Sequence, residues 1–155
     1  MTEANTADVD LHDVAIQAKT TYVVTANGSS AYRFDINGAT ANPTIYVEAG
    51  ETIAFDLTGL GGSHPFQIED NAGSAYNTGL IHIATDGTKT TGPNAQGKTS
   101  GTLYWKVPAS ISGDYEYQCT SHPAPAMNGT ITVAAPGGSG ITTGKAIAMA
   151  IVFGG

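Results

Sequence analysis

Only one cysteine, Cys119, stands in the 155 residues, so no disulfide can form within the chain. That excludes the small scaffolds held together by bridges. It also excludes an immunoglobulin domain of the antibody type, which needs two cysteines bracketing a tryptophan. Cys119 is left as a buried thiol, a nucleophile or a metal ligand. Charge is scarce too, at 12% of residues, and basic charge most of all: 6 Lys and Arg against 13 Asp and Glu, for a net charge of −7. The basic residues (Lys19, Arg33, Lys89, Lys98, Lys106, Lys145) are dispersed, which argues against nucleic acid and anionic membranes as partners. Long apolar runs are missing. The longest, Ala146 to Phe153, falls far short of the ~20 residues of a spanning helix. The opening Met1-Thr2-Glu3-Ala4-Asn5 has neither the basic nor the apolar region of a secretory signal, so a soluble protein without a signal peptide is expected.

What the chain does have is 41% hydrophobic residues and 20 glycines scattered between short apolar runs, the composition of a folded, turn-rich protein. From residue 20 the apolar residues recur with period two. Strands are expected over Thr21–Thr25, Ala31–Ile36, Thr44–Val47, Thr52–Leu57, Pro65–Glu69, Leu80–Ala84, Thr102–Val107, Tyr115–Cys119 and Thr130–Val133. Gly, Asn, Asp or Pro punctuates nearly every gap, as at Asn27-Gly28, Asn37-Gly38 and Asp86-Gly87. The fold class is therefore all-β, a Greek-key sandwich over residues 20–135. Thr85 to Ser100 reads as an exposed irregular loop.

Two arms flank this domain. In residues 1–19, Leu11, Val14, Ala15 and Ala18 keep helical spacing after Asp10, a candidate N-cap, which suggests a short amphipathic helix. Residues 136–140 (Pro-Gly-Gly-Ser-Gly) form a flexible linker by composition. In the last stretch, 141–155, Ile147, Met149, Ile151 and Phe153 alternate with small alanines. A strand of that pattern wants cover on both faces, and a short helix is the rival reading. The segment either returns to its own sandwich or docks on another subunit by strand addition or in a groove.

The chemistry concentrates in Tyr115-Glu116-Tyr117-Gln118-Cys119-Thr120-Ser121-His122-Pro123-Ala124-Pro125-Ala126-Met127-Asn128-Gly129. A strand with Tyr115, Tyr117 and Cys119 inward ends at the cysteine, and a tight loop brings round His122 and Met127. A thiolate, an imidazole and a thioether thus converge, the mixture suited to copper: soft sulfur for Cu(I), imidazole for both oxidation states. A second imidazole is needed from elsewhere, and His64, in Gly62-Ser63-His64-Pro65-Phe66, sits at the mouth of another strand. His82, between Ile81 and Ile83, is expected to face solvent; Trp105 reads as core and Tyr104 as sheet surface. Ser63 beside His64 shows no nucleophile–base–orienter arrangement, and no Gly-rich phosphate loop is present, so an enzyme is not expected.

The run Cys-x2-His-x4-Met-x-Gly-x-Ile-x-Val, with an isolated upstream histidine, resembles the plastocyanin and pseudoazurin type of cupredoxin. Asn42 to Phe55, with its Gly-containing turn, is similar to that family's early strand pair. The resemblance spans residues 20–135. It implies a type 1 copper site with His64, Cys119 and His122 as equatorial ligands and Met127 as the long axial one. Electrons would leave through His122, ringed by an apolar collar of Pro65, Pro123, Ala124, Pro125 and Ala126. The chain departs from the pattern at Pro65, where relatives often carry an Asn whose N–H steadies the thiolate, and at Gln118, where plant plastocyanins place a Tyr.

A further likeness bears on the role. His-Pro-Phe-Gln-Ile and Tyr-Gln-Cys-Thr-Ser-His, joined by Gly-Thr-Leu-Tyr-Trp-Lys-Val-Pro, resemble cupredoxin-like modules of virion structural proteins in marine cyanobacterial phages. The ending Thr-Gly-Lys-Ala-Ile-Ala-Met-Ala-Ile-Val-Phe-Gly resembles the tails of such proteins. The expectation is a virion component of a phage head, tail or fibre, assembled in the host cytoplasm. Its arms would meet other virion proteins or copies of itself, and the domain would bind one copper ion. The alternative is a soluble type 1 copper protein that carries one electron to a redox partner protein.

Overall fold

The computed structural model describes residues 16–136. Ten strands build two sheets: β1 Thr20–Asn27, β2 Ala31–Phe34, β3 Ile45–Glu48, β4 Thr52–Asp56, β5 Phe66–Asp70, β6 Leu80–Ile83, β7 Lys89–Thr91, β8 Thr102–Lys106, β9 Gly113–Cys119 and β10 Asn128–Ala134. One sheet runs β2-β1-β4-β8-β6-β7 and the other β3-β10-β9-β5. Pairing is antiparallel except for β1 with β4 and β3 with β10, which are parallel. Each of the nine expected strands is present, and no α-helix occurs among the described residues. The all-β Greek-key sandwich is therefore the fold of this chain.

The alternation read from the sequence has its physical counterpart in the core. Inward residues of both sheets meet there, and their aromatic rings bridge the gap. Phe55 of β4 packs on Phe66 of β5, with ring centroids 4.8 Å apart. Phe66 stacks on Tyr117 of β9 at 5.7 Å, and Phe34 meets Tyr117 edge-on at 5.0 Å. A second group joins Trp105, Tyr76 and Tyr115, and the buried indole N–H donates to the Thr78 carbonyl at 3.0 Å. Trp105 is thus core, and Tyr104, half-buried, lies on the sheet surface as expected.

Three expectations need correction or delimiting. Thr85–Ser100 is not simply irregular: it contains β7, which pairs with β6, and a 3-10 turn over Gly92–Ala95. The segment then closes the free edge of β5. Gln96 accepts from the Ile68 N–H at 3.0 Å and donates to the Ile68 carbonyl at 2.8 Å, and Phe66 exchanges backbone bonds with Gly97 and Lys98. These are backbone demands of a sheet edge, for which a run of Thr, Lys and Gly shows no periodic signal. At the N-terminus, Ile16 is buried and Ile16–Ala18 is not helical. The rest of the expected helix lies outside the described residues, as do most of the linker and Ile147, Met149, Ile151 and Phe153.

His82 is the third. It does not face solvent: it is 3% exposed and shares the inner face with Leu80, while Ile81 and Ile83 take the half-exposed face. In register it stands opposite buried Leu103, and its Nε2 lies 2.7 Å from the Ser100 carbonyl. A carbonyl can only accept, so the ring presents its N–H there. Gly101, at φ +73°, has no room for a Cβ beside the Ile83 carbonyl and this imidazole. Burial outweighs the carbonyl's opposing pull and lowers the His82 pKa from its ordinary 6.5. The neutral ring is therefore the folded form, and its contribution to stability is complete above that value. As pH falls below it the unfolded chain takes up the proton first, and the contribution is lost. In urea titrations between about pH 7.5 and about pH 5, His82→Gln should lose less stability than the parent protein.

Close packing makes a second prediction. Gly129 faces Tyr117 across β9 and β10, and a Cβ there would collide with the phenol ring. The space lets the Tyr117 hydroxyl pass and donate to the Pro43 carbonyl at 2.6 Å. Gly129→Ala should cost about 1–3 kcal/mol in chemical denaturation, the range for overpacking a tight core.

Candidate metal centre

The sequence brings two chain segments to one end of the sandwich by strand register. β5 and β9 are antiparallel with Phe66 opposite Cys119. His64, two residues before Phe66, therefore lies near the end of the strand that carries Cys119. The Thr120 N–H donates to the Pro65 carbonyl at 3.0 Å and extends this pairing past the strand ends. Pro65 lacks an N–H to offer, but its carbonyl is used.

His122 and Met127 come from the loop joining β9 to β10, which is folded by its own backbone. The His122 N–H donates to the Cys119 carbonyl at 3.2 Å, Ala126 to Pro123 at 3.1 Å, and Met127 to His122 at 3.1 Å. The Cys119 N–H donates to the Met127 carbonyl at 2.9 Å and closes the loop at its base.

The donor atoms of His64, Cys119 and His122 all lie within 4.8 Å of one another. Cys119 Sγ is 3.9 Å from His64 Nδ1 and 3.6 Å from His122 Nδ1. The two imidazole rings sit 5.1 Å apart, tilted by 45°. Cys119 and Met127 are fully buried, and both histidines are half-buried. Nitrogen and sulfur donors that face one another in this way fit one metal ion better than they fit each other. A single thiolate with two imidazoles and a nearby thioether suits copper. Of the collar, Pro123, Ala124 and Pro125 are exposed, while Pro65 and Ala126 are half-buried.

Several residues that hold this arrangement carried no chemical signal in the sequence. His64 takes a left-handed backbone, φ +61°, and its carbonyl accepts the Tyr32 hydroxyl at 2.7 Å. Burial, with Cys119 close by, pushes the Tyr32 phenol well above its ordinary pKa, and burial alone does the same for Tyr117. Both stay neutral donors. Asn42, also left-handed at φ +46°, accepts the Tyr32 N–H at 2.9 Å and donates to the Ala126 carbonyl at 2.7 Å. It ties the ligand loop to β2. Asn before Pro is a turn signal in sequence, but a bond spanning 84 residues is not visible there.

No family model matches the chain, and no curated protein does. Among solved structures it is similar to cupredoxins. Reduced rusticyanin is 26% identical, with 76% of this chain and 81% of that one covered at a TM-score of 0.41. A purple cupredoxin from Nitrosopumilus maritimus is 16% identical, covering 75% and 100% at a TM-score of 0.42. An amicyanin variant in its reduced Cu(I) form is 19% identical, covering 77% and 87% at a TM-score of 0.37.

Asn42 gives the subsection's prediction. Asn42→Ala leaves the Tyr32 N–H and the Ala126 carbonyl without their partner. It should cost about 1–3 kcal/mol by denaturant titration, the penalty for stranding half-buried polar groups.

Proposed function

We propose that this chain holds one copper ion between His64, Cys119, His122 and Met127 and serves as a one-electron carrier. The observation that carries the reading is the convergence of a buried thiol and two imidazoles within 4.8 Å, on a backbone that keeps Met127 beside them. Copper supplies the reversible exchange of one electron between Cu(I) and Cu(II). The chain's own residues bind and orient it. Tyr32 steadies His64 through its carbonyl, Asn42 steadies the ligand loop through Ala126, and full burial of Cys119 and Met127 keeps water from the sulfur donors. Ligands held by the backbone move little as the charge on the metal changes, which keeps the barrier to electron transfer low.

His122 is the way out. It is half-buried beside exposed Pro123, Ala124 and Pro125, an apolar surface on which a redox partner protein can sit without desolvating charge. The reading as a virion component rests on the phrases around His64, Trp105 and Cys119 and on the terminal segments, which lie mostly outside the described residues, and nothing in the comparisons links the chain to virion proteins. The carrier is the better-supported role.

Adding Cu(II) to metal-free protein should produce an intense visible thiolate-to-copper band, absent in Cys119→Ser. The band should bleach on reduction and return on reoxidation over repeated cycles. No band, with Cys119 reduced, would sink the copper site; a band that does not cycle would sink the carrier role.

A further inference from the structure

A buried carboxylate lies one strand away from the ligand loop and has no part in the donor set. Glu69 of β5 points to the face of the four-stranded sheet turned away from the core, yet it is only 2% exposed. A charge so placed is costly unless hydrogen-bonded. Its Oε2 accepts from Gln67 Nε2 at 2.7 Å and also from Gln118 Nε2. Register explains the meeting: Gln67 stands directly opposite Gln118, and Glu69 is diagonal to it on the same face.

The other end of the Gln118 amide reaches the loop. Its Oε1 accepts the Ala124 N–H at 3.0 Å, and Ala124 lies between His122 and Met127. We propose that Glu69 and Gln118 are positioning residues for the ligand loop, the carboxylate orienting the amide so that its oxygen holds the Ala124 N–H. The idea rests on the reading of His122 and Met127 as copper ligands. With a carboxylate oxygen accepting on one side and a backbone N–H donating on the other, the amide turns its NH2 toward Glu69 and its oxygen toward the loop. Without Glu69 the amide is free to flip and set donor against donor at Ala124. Asn42 holds the same loop two residues further on, through the Ala126 carbonyl, so the loop is gripped at two points by side-chain amides.

The test uses the full chain and two readouts. In metal-free protein, amide hydrogen exchange at Ala124 should quicken about 3- to 10-fold in Gln118→Leu, the loss of one hydrogen bond. Glu69→Leu should match it, and the double variant should add nothing further, because the two residues act in series. Should Glu69→Leu fail to fold, Glu69→Gln should show a smaller change of the same sign. Thr132→Ala, on the same sheet face but bonded to Asp114, should leave Ala124 unchanged. In copper-loaded protein, release of the metal to a chelator should quicken by a similar factor in Gln118→Leu. Unchanged exchange at Ala124 in Gln118→Leu, or in the Glu69 variants, overturns the proposal whatever the copper does. A parent protein that never forms the visible band overturns the copper reading alone, since the exchange measurement needs no metal.

Discussion

Everything at the metal centre depends on the antiparallel register of β5 and β9. Phe66 faces Cys119 across that pairing, and both are fully buried. The ring of Phe66 is held between Phe55 of one sheet and Tyr117 of the other, so the register is locked by packing as well as by the ladder. A slip of one residue would turn Cys119 to the outer face and carry His64 out of reach. The site is in this sense an edge of the hydrophobic core, with a thiol and a thioether as its last apolar layer.

Upon that frame the ligand loop is a short segment with little freedom. Its base is closed by the bond between Cys119 and Met127, and its middle is held by its own turns. Asn42 grips it from the β2 side and Gln118 from the sheet surface. The phenol of Tyr117, passing over Gly129, pins Pro43 and so places its neighbour Asn42. Rigidity thus comes from polar side chains of β9 and of the connection between β2 and β3, while affinity for a soft metal comes from four donors. The two tasks fall to different residues.

The donor set was legible because ligand chemistry needs rare residue types. One cysteine, four histidines and three methionines leave few combinations, and the spacing between Cys119, His122 and Met127 suits one tight loop. The strands were legible because half-buried sheets impose a period of two. Where that logic misled, at His82, the flanking isoleucines suggested an inward-facing pair. The strand instead turned Leu80 and His82 in, with the Ser100 carbonyl compensating the ring. The polar stretch before Ser100 misled for a related reason. Its order comes from the edge of β6, one hairpin away, and from the edge of β5, where Gln96 meets Ile68, 28 residues earlier in the chain.

The sequence by itself determined the all-β class, the placing of nine strands and the identity of four candidate ligands, since periodicity and rare donors are local properties. Only the tertiary structure decided that His64 stands 3.9 Å from Cys119. It alone assigned Tyr32, Asn42, Glu69 and Gln118 to hold the loop, and it turned His82 inward. Those outcomes are hydrogen bonds and contacts between residues far apart in the chain. Asn, Gln, Tyr and Glu are common enough that their types announce nothing until the fold brings them together.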